Sequence, residues 1–124
     1  MSNVLVSVQL SDPNLSDDRL QSLTENVLSQ VKQFDGVNRA NLKADEVLPS
    51  GAKSLGNFSL GFLTAEIDAN YIGNLFMFLG ERLTGQRTIE LEVESNSRKL
   101  KVKVHSREEL AEVIGMAENF VSAK

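Results

Sequence analysis

Thr88-Ile89-Glu90-Leu91-Glu92-Val93-Glu94-Ser95-Asn96-Ser97-Arg98-Lys99-Leu100-Lys101-Val102-Lys103-Val104 is the stretch that decides the fold class. Apolar and charged residues alternate on both sides of Asn96-Ser97, which is strand periodicity. The charges are acidic before the tip and basic after it. With Asn96-Ser97 as a two-residue turn, Ser95 pairs with Arg98, and Asn tolerates the positive φ that such a turn needs. The same register sets Glu94, Glu92 and Glu90 against Lys99, Lys101 and Lys103. On the other face it sets Val93, Leu91 and Ile89 against Leu100, Val102 and Val104. A slip of one residue would turn every apolar side chain into water. Exposed charge pairs contribute about 0.2–1 kcal/mol each. The apolar face therefore sets the fold, and the charges fix register and keep the strands soluble.

Outward from the hairpin, Ser106-Arg107-Glu108-Glu109 is a capping box, serine at the cap and glutamate three residues on. It opens a helix whose stripe is Leu110, Val113, Ile114, Ala117, Phe120 and Val121. Upstream, Asp68 caps a helix over about 69–83 with Ile72, Leu75, Phe76, Leu79 and Leu83 on one face, ended by Gly85. Between Phe58 and Ile67 the periodicity fits a strand and a helix equally, and Gly61 weakens both readings. Residues 45–57, with Pro49-Ser50-Gly51-Ala52-Lys53-Ser54-Leu55-Gly56, read as a loop.

At the amino-terminal end, Val4, Val6, Val8 and Leu10 alternate as a strand, and Ser11-Asp12-Pro13-Asn14 turns the chain. Ser16 caps a helix with the stripe Leu20, Leu23, Val27, Leu28, Val31 and Phe34, and Asp35-Gly36 stops it. Val37 to Ala44 reads as a second strand, so that strand, helix and strand form a right-handed crossover with parallel strands. These elements predict a single α+β domain over residues 1–124. It is a four-stranded mixed sheet with three to four helices packed mainly on one face, ending in a β-hairpin and a helix.

Composition excludes several classes. The 124 residues carry 13 basic and 17 acidic side chains, a net charge of −4. That balance opposes a nucleic-acid binder, which needs a basic footprint to displace counterions. There is no cysteine, which removes thiolate catalysis, thiolate zinc sites and disulfides. The start Met1-Ser2-Asn3 has no basic region and no cleavage pattern of a signal peptide. The most apolar stretch, Phe58 to Leu83, is broken by Glu66, Asp68, Asn70, Asn74 and Glu81, so no transmembrane segment is expected. The expected location is cytoplasmic.

Chemical motifs are fragmentary. His105, the one histidine, has no ligand set around it. Ser50-Gly51-Ala52-Lys53 and Ser29-Gln30-Val31-Lys32 match Ser-x-x-Lys, but the Ser-Asp-Asn and Lys-Thr-Gly motifs that accompany it in penicillin-binding enzymes are missing. Gly51-Ala52-Lys53-Ser54 has the end of a phosphate-binding loop, with Ala before Lys and Val47 where the first Gly belongs. Phe58, Phe62, Phe76, Met77 and Phe78 suit a core first and a ligand pocket or partner groove second. No metal, cofactor or catalytic residue is expected.

One similarity goes further. Gly51-Ala52-Lys53 with Gly56, the apolar run Leu60 to Ile67, the helix end Leu79-Gly80-Glu81-Arg82-Leu83 and the strand Thr88 to Val93 resemble the effector-associated constant component family of bacterial conflict (immunity) systems. The similarity spans most of the chain. Similar sequences often carry a Trp near the end of the central helix and a Gly in the hairpin turn, and this chain has neither. The resemblance implies a non-catalytic accessory module that assembles with a protein partner, either a protease-like effector or an adaptor. It supplies no catalytic residue. The surface expected to carry binding is Pro49, Gly51, Ala52, Lys53 and Gly56 with Phe58 and Phe62. The alternative is a small-ligand or nucleotide sensor using the Gly-Ala-Lys loop. Neither the identity of the partner nor homo-oligomerisation follows from the sequence.

Overall fold

A computed structural model describes residues 3–44, 54–55 and 58–122. The order is β1 (Asn3–Ser11), α1 (Asp17–Val31), β2 (Val37–Ala44), β3 (Ser54–Leu55), β4 (Phe58–Asp68), α2 (Ile72–Gly80), β5 (Thr88–Ser95), β6 (Arg98–Val104) and α3 (Arg107–Ser122). A single turn of 3₁₀-helix, Ala69–Tyr71, leads into α2.

The chain is α+β, with an antiparallel sheet of five long strands in the order β2-β4-β1-β5-β6, and two-residue β3 paired to β4. The expected four-stranded mixed sheet is corrected here. β1 and β2 do run in the same direction, but they are not neighbours, because β4 lies between them and pairs antiparallel with each. The ambiguous segment at 58–67 is a strand, and it takes the place that the parallel pairing would have occupied. β4 and β5 likewise run the same way with β1 between them. Two interlocked split β-α-β units result, the β-α-β-β-α-β order of ferredoxin-like domains. β6 and α3 extend that unit at one side.

The helices share one face of the sheet. Val4, Val6, Val8 and Leu10 of β1, Leu63, Ala65 and Ile67 of β4, and Ile89, Leu91 and Val93 of β5 are all buried against them, with Phe76, Leu79, Val27 and Leu110 in the same cluster. The hairpin register is the predicted one, from Ile89↔Val104 through Ser95↔Arg98. Asn96 and Ser97 have φ of 55° and 67°, as a type I′ turn requires.

The caps match local chemistry. The Ser16 hydroxyl accepts from the Arg19 amide at 3.3 Å, and the Ser106 hydroxyl accepts from the Glu109 amide at 3.1 Å. Glu109 reaches back one residue beyond the cap, accepting from the His105 amide at 2.7 Å. Asp68 caps the 3₁₀ turn through the Asn70 amide at 2.9 Å. The α2 helix ends at Gly80, short of the expected Leu83.

β4 departs from a regular strand at Gly61, which has φ of 77°. Leu60 and Leu63 are both buried although three positions separate them, so the alternation of faces resets across a bulge. A Cβ at Gly61 would stand 2.5 Å from the Leu10 carbonyl oxygen, which leaves glycine as the residue that fits. The Gly61 amide donates to Gln21 Oε1 at 3.3 Å. Gln21, buried on α1, thereby satisfies the group that the bulge removes from the ladder.

Candidate functional site

Among the described residues, the helices pack on one face of the sheet and none covers the second face. From β2 to β6 it carries Arg39 and Asn41, then Glu66, Thr64 and Phe62, then Leu5, Ser7 and Gln9, then Glu94, Glu92 and Glu90, then Lys99, Lys101 and Lys103. Leu5, on the central strand, is 41% exposed, and Phe62 is half-buried. Ion pairs flank this largely polar middle. Arg39 lies 3.3 Å from Glu66 on one side. On the other side the contacts run along diagonals, Lys101 to Glu90 at 3.3 Å and Lys99 to Glu92 at 3.9 Å. Within the hairpin the ion pairs are thus diagonal, whereas Arg39 and Glu66 are directly opposite in register. A right-handed strand twist brings diagonal neighbours within reach of long side chains.

At one end of the sheet a cleft of about 520 Å³ has a floor of Leu10, Leu15, Leu20 and Leu60 and a polar rim that includes Asp12, Asp17, Gln86 and Thr88. Beside it, Arg87 joins the two central strands. Its Nε donates to Asp12 Oδ2 at 3.0 Å, and its Nη1 donates to the Arg82 carbonyl at 2.9 Å. The Asp12 carboxylate is 7% exposed and Arg87 15%. The Asn14 amide, donating to Oδ1 at 2.8 Å, and then the Arg87 guanidinium hold the Asp12 carboxyl below its ordinary range, against the opposite push of desolvation.

In the sequence Asp12 reads as a turn former, and its partner 75 positions away leaves no periodic trace. Gln21 is missed for the same reason. It sits among the polar residues of an amphipathic helix, and only the placement of β4 makes it a core residue.

The expected site divides. Pro49, Gly51, Ala52, Lys53 and Gly56 lie outside the described residues, as does the Ser50–Lys53 motif. Phe58 pairs in register with Ala44 and Leu55 at the start of β4. Phe62 pairs with Gln9 and belongs to the open face. Phe76 is fully buried and Met77 is 65% exposed, whereas Phe78 packs edge-on to Phe34 with ring centroids 4.8 Å apart. Of the residues that suited a core first and a pocket second, Phe76 is in the core, and Phe62, Met77 and Phe78 lie in separate surroundings. His105 is exposed, with Nδ1 3.4 Å from Glu109.

Among the described residues, no group of three or more His, Asp or Glu side chains is placed to hold a metal ion, and no helix is long and apolar enough to cross a membrane. No protein-family model matches the chain, and no curated protein matches it.

Proposed function

We propose that this chain is a non-catalytic assembly module that binds a protein partner through the uncovered side of its sheet. The observation that carries this reading is the open face itself, where exposed Leu5 and half-buried Phe62 lie among polar side chains, with ion pairs at both margins. Isolated apolar side chains ringed by polar and charged ones suit a polar protein-binding patch. The resemblance supplies the setting, a bacterial conflict or immunity system, and the class of partner, a protease-like effector or an adaptor.

Co-expression with the effector gene beside it tests the reading. A complex is expected on size exclusion at micromolar concentration, and Leu5→Asp is expected to weaken it while leaving the fold intact, because the side chain is already part-exposed. Clean separation of the two proteins would remove the support for this function.

The cleft at the sheet end favours a second reading, a small-ligand or nucleotide sensor. A thermal-shift screen with nucleotides tests it. A ligand at 100 times its dissociation constant adds about 2.7 kcal/mol of stability, so a flat screen at high concentration eliminates tight binders.

A further inference from the structure

β6 is one margin of the sheet, and among the described residues no strand pairs with its outer side. The opposite margin is blunted. The pairing of β2 with β4 shifts register between Val37 and Arg39 and again between Leu42 and Ala44. Such irregularities break the row of backbone groups that an added strand needs. On β6 the register runs unbroken from Arg98 to Val104.

The hairpin also fixes which way the β6 backbone points. The closing pair of a two-residue hairpin, here Ser95 and Arg98, exchanges both backbone hydrogen bonds, and bonded and non-bonded pairs alternate from there. The backbone groups of Leu100, Val102 and Val104 therefore turn to β5. Those of Lys99, Lys101 and Lys103 turn outward.

The side chains of these lysines stand on the open face, with Lys99 61% and Lys101 63% exposed. Their acidic partners lie on the β5 side alone, and Lys103 enters no ion pair among the described residues. On the helix face, Leu100 and Val102 are half-buried, whereas their partners Val93 and Leu91 are buried. The apolar layer reaches this margin and stops without full cover.

We propose that β6 is a docking edge for an extended segment of a protein partner in which acidic residues alternate with apolar ones. This rests on the assembly reading above and adds the sheet margin at β6 to its contact surface. Added as one more strand, the segment pairs its backbone with the outward groups of the three lysines. Its acids extend the Glu–Lys alternation by one row, and its apolar residues cover Leu100 and Val102. A second copy is the wrong occupant, because two β6 margins set lysine row against lysine row, and like charges across a strand pair are destabilising.

Titration of the full ¹⁵N-labelled chain with a capped peptide of about seven residues alternating glutamate and valine, one strand's length, tests this. Shift changes are expected to concentrate at residues 98–104, with a lysine-for-glutamate peptide binding at least about tenfold more weakly. Lys101→Pro removes an outward N–H without touching the β5 ladder, and is expected to weaken binding about tenfold. Lys103→Glu reverses one charge, leaves the backbone intact, and is expected to weaken binding as well.

Absence of shifts at 98–104 at millimolar peptide, or equal binding of the lysine peptide, overturns the proposal. If a complex with the co-expressed partner survives both substitutions unchanged, the edge is overturned and the assembly reading stands. If the peptide binds specifically and no partner complex forms, the edge stands and the assembly reading falls.

Discussion

Strand β4 and the β5–β6 hairpin both pair antiparallel with their neighbours, but they hold register by different means. The hairpin carries its instructions within itself. The alternation, the turn residues and the opposed charges all specify one pairing, and the structure has that pairing. β4 takes its instructions from elsewhere. Its bulge at Gly61 is shaped by the Leu10 carbonyl on one side and the buried Gln21 of α1 on the other. Local pattern is sufficient for a two-stranded edge unit. β4 takes its long partners, β1 and β2, from elsewhere in the chain, and it answers to both of them and to α1 above.

The comparison breaks most severely at Gly61. Gly61→Val requires a β-branched residue at positive φ, about 1–2 kcal/mol, and places a Cβ against a backbone oxygen that cannot turn away. With overpacking of about 1–3 kcal/mol added, a loss of roughly 2–5 kcal/mol is expected in urea denaturation. A loss no larger than that of an ordinary surface substitution would mean that the bulge does not determine the position of β4. Gln21→Leu leaves the Gly61 amide without its acceptor, and about 1–3 kcal/mol should be lost. Faster hydrogen exchange at the Gly61 amide is the local readout.

The hairpin responds to a change inside itself, and in the other direction. Ser97 adopts a positive φ of 67°, so Ser97→Gly should stabilise the protein by about 0.5–1 kcal/mol, relieving the strain of a side chain there. Thermal denaturation reads it, and a decrease in stability would contradict the type I′ assignment.

The last effect is lost in acid, and it concerns how the hairpin is anchored to β1. The Asp12 carboxyl is held below its ordinary value of 3.8 in the folded state. A depressed folded-state value contributes stability that is fully present above 3.8 and is lost as pH falls through the folded-state value. Asp12→Asn should therefore be the less stable protein at neutral pH, with the gap closing as pH falls below that of the unfolded carboxyl. A gap independent of pH would show that the Asp12 charge has no part in the anchor.

These differences track what was legible in the residues. Elements whose signals lie within a few positions of one another were readable: the hairpin register, the Ser16 and Ser106 caps and the helix stripes, although α1 ends at Val31, ahead of the expected stop at Gly36. Phe58 to Ile67 was not, because a bulge cancels strict alternation and leaves spacings that serve a helix equally well. Of the residues read as a candidate site, Phe62 lies on the open face, and Pro49, Gly51, Ala52, Lys53 and Gly56 lie outside the described residues. The exposed centre at Leu5 follows from helices packing on one side. That depends on strand order, not on the residues beside Leu5.

The sequence by itself determined the class of the domain, its three helices, its hairpin and the absence of thiol chemistry, because each rests on short-range periodicity or on composition. Tertiary structure alone decided that β4 separates β1 from β2, that Arg87 clamps Asp12 across the chain, that Gln21 is a core residue, and which strand is left as a regular open edge. Those outcomes depend on contacts between residues far apart in the chain. They are selected by which arrangement buries the apolar stripes together while pairing every backbone group.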